Sequence, residues 1–156
     1  MFNVVLFNPQ IPPNTGNIGR LCVNAGATLH IVKPIGFDIS EKAVKRAGLD
    51  YWDKLDLKVW ESVEEFLNGV DTKRCFFATT KTKTPYFQKE YKPGDYFIFG
   101  SETKGIDEEI LNAHKENCIT IPMTKEGRSL NLAVSAGIVL YEAIRQNYSE
   151  FIDLNQ

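Results

Sequence analysis

The stretch from Ile121 to Tyr148, IPMTKEGRSLNLAVSAGIVLYEAIRQNY, constrains this chain more than any other. An apolar strand end (Cys118–Pro122) runs into a polar loop (Thr124–Arg128) and then into a long helix. Ser129 or Asn131 is placed to cap that helix, because either side-chain oxygen can accept from the free backbone N–H groups of the first turn. Leu130, Val134, Gly137, Tyr141, Ile144 and Tyr148 recur at spacings of three and four, which puts them on one helical face. Ala133, Ala136, Gly137 and Ala143 form a seam of small residues beside them. A glycine inside a helix costs ~1 kcal/mol relative to alanine, so Gly137 implies close packing. A strand that feeds a polar loop and a helix N-terminus is also where α/β proteins hold ligands.

Upstream, short apolar runs alternate with helical patterns. Phe2–Phe7, Thr28–Val32, Leu57–Trp60, Arg74–Thr79 and Tyr96–Phe99 read as strands. Helices are expected after Asn14 or Thr15, from Ser40 to Gly48, after Ser62 with its capping box, and after Asp107. The segment Thr80–Gly94 is polar and broken by prolines, and is expected to be an exposed loop. This alternation predicts an α/β fold with a mainly parallel sheet flanked by helices. At 156 residues without a linker-like composition shift, one domain spanning 1–156 is expected.

Composition removes several function classes. Net charge is −2, so affinity for nucleic acid has to come from a local patch. Cys22, Cys75 and Cys118 are scattered through apolar segments with no metal-ligand spacing, which reads as reduced thiols and no metal site. The N-terminus lacks the pattern of a signal peptide and no apolar run reaches membrane-spanning length, so a cytoplasmic protein with no membrane association is expected. There is no GxGxxG after the first strand, no GxxxxGK[ST] and no GxSxG. What remains is a set of turns at strand ends: Asn14–Asn17, Gly100–Gly105 and Gly127–Asn131. Following strands of one parallel sheet, they converge on its carboxyl edge.

The segments NTGNIGR (Asn14–Arg20), FGSETKGI (Phe99–Ile106) and IPM followed by SLNL (Ile121–Leu132) stand in the order of the three motifs of SPOUT methyltransferases. The chain resembles the minimal branch of that superfamily that methylates the ribose 2′-hydroxyl of the wobble nucleotide of tRNA. The likeness runs from Phe2 to about Gln146 and includes Ala47–Tyr51 and Lys92–Tyr96. It implies a C-terminal trefoil knot, S-adenosylmethionine as methyl donor, a homodimer, and the tRNA anticodon stem-loop as partner. It also implies donor-binding positions at Ala78, Gly100, Ile121, Ser129 and Asn131. Arg20, Asn17 and Tyr141 are implied as the catalytic group, Tyr141 from the partner subunit.

The chemistry of Arg20 narrows its role. A guanidinium stays protonated at any physiological pH, so Arg20 suits orientation of a phosphate and stabilisation of developing alkoxide charge better than general-base work. Lys42, Lys45 and Arg46 are candidates for RNA contact, as are the loop lysines Lys81, Lys83, Lys89 and Lys92 with Tyr86, Phe87 and Tyr91 among them. Glu102 is a candidate to offset the positive sulfonium of the donor, with a plain loop acid the preferred reading. The rival reading is a non-catalytic RNA- or nucleotide-binding module on the same fold; retention of Arg20 beside the donor-loop residues favours the enzyme.

Overall fold

The computed structural model describes residues 1–39 and 49–155. The helix expected from Ser40 to Gly48 lies outside them. Six strands form one sheet: β1 (Asn3–Phe7), β2 (Thr28–Val32), β3 (Leu57–Trp60), β4 (Cys75–Ala78), β5 (Tyr96–Phe99) and β6 (Cys118–Ile119). Their order is β3-β2-β1-β5-β4-β6, and every pairing is parallel. Among the described residues four α-helices accompany them: α1 (Pro12–Ala25), α2 (Val63–Gly69), α3 (Glu108–Ala113) and α4 (Leu132–Gln146).

Alternation along the central strand sorts the core into two layers. Val4 and Leu6 join α1 and α4 through Ile18, Cys22, Val139 and Leu140. Val5 and Phe7 point the other way, to Phe66 of α2 and Leu111 of α3. Both faces are covered, which is why β1 is apolar from Val4 to Phe7 and all five residues of β2 are buried, Thr28 and His30 included. Among the described residues, no helix is long and apolar enough to cross a membrane.

The small-residue seam of α4 faces inward. Ala136 and Ala143 are fully buried, and a Cβ on Gly137 would sit 3.9 Å from Leu21 of α1. The bulky positions Leu130, Val134, Tyr141 and Tyr148 are left exposed. Of the two expected caps it is Asn131 that acts, accepting from the N–H groups of Ala133 and Val134. Ser62 caps α2 as expected, by accepting from Glu65 N–H.

Three local expectations are corrected. Helix α1 begins at Pro12, two residues before Asn14, because prolines at its first positions need no N–H partner and already hold the helical φ. Asp107 occupies the N-cap position of α3 but makes no capping bond with its side chain. The segment Thr80–Gly94 is no free loop: Tyr91 is 2% exposed and packs edge-on against Phe76 and Phe97. Gln146 accepts from Tyr91 N–H at 2.8 Å and donates to Lys89 C=O, while Asn147 donates to Tyr91 C=O. Pro85 and Tyr86 bridge to Thr120 on the outer side of β6.

His30, at 1% exposure, is held between two partners. Trp60 Nε1 donates to its Nδ1 at 3.0 Å, so Nε2 carries the proton and donates to Asn3 Oδ1 at 2.9 Å. Burial, with help from Lys58, lowers its pKa to about 4.

Candidate active site

The strand order reverses direction between β1 and β5, and an open sheet leaves a crevice at the carboxyl ends of its strands at such a point. A cavity of about 510 Å³ occupies that position. It is walled by the exits of β4 (Ala78–Lys81), β5 (Gly100–Ile106) and β6 (Thr120, Ile121), and by the start of α4. All five positions expected to hold the donor line it: Ala78, Gly100, Ile121, Ser129 and Asn131.

The β5 turn is folded tightly on itself. Ser101 and Gly105 form an antiparallel bridge, and Gly105 adopts a φ of 69° that favours glycine. A Cβ on Gly100 would lie 2.1 Å from the carbonyl carbon of Gly105 and 2.4 Å from Ile106 N. Glycine at 100 is therefore needed for the turn to close, before any ligand is considered.

A chain of hydrogen bonds ties the three turns together. Both oxygens of Glu102 are engaged: Oε1 accepts from Gln10 N–H at 2.9 Å, and Oε2 accepts from Ile11 N–H at 2.8 Å. Asn14 Nδ2 adds a third bond to Oε2 at 3.3 Å. Asn14 Oδ1 in turn accepts from Asn131 Nδ2 at 3.0 Å, and Asn131 caps α4. A carboxylate thus sits where α1 lacks a side-chain cap of its own, which also suits the positive end of the helix. Glu102 and Asn14 both line the cavity.

Sequence reasoning assigns Asn14 only a place in its turn and a helix-capping role, and prefers to read Glu102 as a loop acid; it shows neither as the link between the turns. The signal for Asn14 was present: Asn14, Ile18 and Cys22 follow each other at four-residue spacing, and all three are buried. Asn17 is off that face; it is exposed and does not line the cavity. Arg20, one turn further on, is exposed on the same outer strip of α1. Tyr141 is exposed on α4, and neither Arg20 nor Tyr141 lines the cavity. Lys42, Lys45 and Arg46 lie outside the described residues. Of the loop lysines, Lys81 reaches the cavity and pairs with Glu108 at 2.8 Å, a bond that holds the Glu108 carboxyl below its ordinary range. Lys89 donates to the carbonyl of Glu116.

The lining combines an apolar wall (Ala78, Phe99, Ile121, Val139) with backbone polar groups and a few side-chain donors and acceptors. In size and chemistry it fits a nucleoside-bearing ligand, with a flat apolar part and a hydrogen-bonding edge.

Comparison with known proteins agrees with this geometry. The SpoU rRNA Methylase family pattern matches residues 1–141. A tRNA (cytidine(34)-2′-O)-methyltransferase of Methylovorus glucosotrophus is 46% identical over 148 residues, covering 94% of this chain and 96% of its own. The protein of the same description from Escherichia coli K12 is 44% identical, covering 94% of each chain. A solved structure described as giving insights into the 2-OH methylation of C/U34 on tRNA superposes with a TM-score of 0.90 at 39% identity, covering 96% of this chain and 97% of the other. The motif-bearing turns that meet at the cavity all fall within the matched span, and the chain belongs to the SpoU rRNA methylase family.

Proposed function

We propose that this protein is an S-adenosylmethionine-dependent enzyme that methylates the ribose 2′-hydroxyl of the wobble cytidine or uridine of tRNA. The observation that carries this reading is the convergence of three motif turns on one cavity, joined through Glu102, Asn14 and Asn131. The names of the relatives, at 44–46% identity across nearly the whole chain, point to the same nucleotide.

In this reading Ala78, Ile121 and the backbone at Gly100 receive the adenosine part of the donor, while Ser129 and Asn131 hold its polar groups. When bound, S-adenosylmethionine supplies the electrophilic methyl group. Arg20 presents a planar fork of donors to an RNA phosphate and stabilises charge developing on the ribose oxygen. The 2′-hydroxyl proton passes to that phosphate or to water, since Arg20 has no acceptor to offer. Asn17, one turn before Arg20 on the same exposed strip, contacts the RNA.

The protein acts as a homodimer of single-domain subunits in the cytoplasm. The exposed strip of α4, with Leu130, Val134, Tyr141 and Tyr148, is the surface a second copy covers, which brings Tyr141 to the partner's site. A trefoil knot in each subunit accounts for the way Gln146 and Asn147 grip the Lys89–Tyr91 backbone. Lys42, Lys45 and Arg46 contact the phosphates of the anticodon stem-loop. The test is nucleoside analysis of tRNA from cells with and without the protein, alongside methyl transfer by purified protein to an anticodon stem-loop. Donor and RNA binding without any transfer would favour the non-catalytic module instead.

A further inference from the structure

Arg20 follows a helical residue with an unusual neighbour. At Gly19 of α1 the ring of Trp52 sits directly on the helix: a Cβ there would lie 2.8 Å from Cζ3 and 3.3 Å from Cε3 of the indole. Leu55 closes the other side of this notch at 3.3 Å. Glycine in the interior of a helix is otherwise unfavourable, so the notch is there to admit the ring.

The second tryptophan of the chain shows what a purely structural indole looks like here. Trp60 seats on Gly69 of α2 in the same manner, but its N–H is bonded to His30 and its ring packs edge-on against Phe66. Trp52 is only half-buried, and among the described residues its indole N–H has no partner and its ring no aromatic neighbour. Its position is set by Gly19, one residue from the exposed Arg20. A half-buried aromatic ring seated one helical position from an exposed arginine suits single-stranded RNA, the ring taking a base and the cation a phosphate.

We infer that Trp52 is a stacking platform for an unpaired base of the RNA strand whose phosphate Arg20 engages, making it a substrate-positioning residue of this site. The inference rests on the RNA-methyltransferase reading above. It requires that the anticodon loop approach α1 from the side of the Leu49–Lys54 turn.

The experiment titrates an anticodon stem-loop RNA into the full-length protein while tryptophan emission is followed, and measures KM for RNA and affinity for S-adenosylmethionine in Trp52→Phe and Trp52→Leu. Quenching by RNA should be strong in the wild type and largely lost in Trp52→Phe, where only Trp60 remains to emit. Trp52→Leu keeps the notch filled without an aromatic face, and should raise KM for RNA about tenfold or more with donor affinity unchanged. Trp52→Phe should recover most of that loss. Unchanged emission at saturating RNA, or equal KM values for the Leu and Phe variants, overturns the platform. Quenching without methyl transfer by the wild type would instead sink the enzymatic reading and leave the platform standing.

Discussion

Asn131 donates to Asn14 across 3.0 Å while its own oxygen receives the first N–H groups of α4, so one side chain joins the last motif of the chain to the first. Asn14 is in turn bonded to Glu102 of the middle motif. The cavity is thereby assembled by its own polar lining. Replacing Asn131 with alanine removes a helix cap, which costs about 1 kcal/mol, and also releases Asn14. The melting temperature should fall by a few degrees and S-adenosylmethionine affinity should fall with it, measured by thermal unfolding and calorimetric titration. Full donor affinity in Asn131→Ala would show that the link is only structural.

Glu102 is the charged member of that chain, and its carboxylate serves three N–H groups at once. Glu102→Gln retains the shape but turns one acceptor into a donor aimed at N–H groups. Bonds to a charged acceptor are the stronger kind, and this half-exposed one should be worth about 1–2 kcal/mol. The expected result is a lowered denaturation midpoint together with weakened donor binding. The Gln10 and Ile11 backbone amides should exchange faster with solvent, as measured by hydrogen exchange.

Gly100 and Ser129 line the same cavity but should respond differently. Any side chain at 100 drives into the Gly105 backbone, so Gly100→Ala should destabilise the turn and abolish donor binding together. Ser129 is exposed and lies in a loop exposed along its length, so Ser129→Ala should weaken donor binding with the melting temperature unchanged. A stable Gly100→Ala variant with normal donor affinity would mean that the turn rearranges freely.

His30 makes folding sensitive to acid in a defined window. Its pKa is about 4 in the folded chain against 6.5 for a free side chain. Above pH 6.5 both states are neutral and nothing is lost; between 6.5 and about 4 the unfolded chain takes up a proton that the folded one refuses. Stability therefore declines as pH falls through that window, by up to about 3 kcal/mol, and levels off below it as far as this group is concerned. Denaturant unfolding at a series of pH values should show a shallower decline in His30→Gln, since the carboxylates are common to both proteins. Parallel curves would remove His30 as the cause.

Much of this architecture was readable from local pattern. The strands Thr28–Val32, Leu57–Trp60 and Tyr96–Phe99 occur at their expected limits because each is a short apolar run bounded by turn residues or charges. The Ser62 cap is equally local. What escaped is tertiary. Glu102 reads as a loop acid because its partners lie up to 92 residues away, and only the folded sheet puts the β5 turn beside the start of α1. Tyr91 sits among lysines and prolines, yet its burial depends on the end of α4. Asn14 and Asn17 differ by less than a turn, and helical phase separates them only once the true start of α1 is known.

The exposed side of α4 carries Val134 and Tyr141, while its small residues face inward. Ala136 and Ala143 are interior residues of the subunit, so a charge there would break the fold before it tested any interface. Val134 is 52% exposed and Tyr141 47%, one on each side of the helix midpoint, and a helix of this length seldom leaves such a strip to solvent. A two-fold related copy would cover it and bring Tyr141 toward the partner's Arg20 and donor cavity. Val134→Arg places a charge in that strip while leaving the subunit core untouched. Sedimentation should then show monomers, thermal unfolding should remain cooperative, and methyl transfer should be lost although Val134 touches no reacting atom. Donor binding by the monomer should survive in part, because the cavity wall belongs to one subunit. A fully active Val134→Arg monomer, or a wild-type protein that sediments as a monomer at micromolar concentration, would refute the shared site.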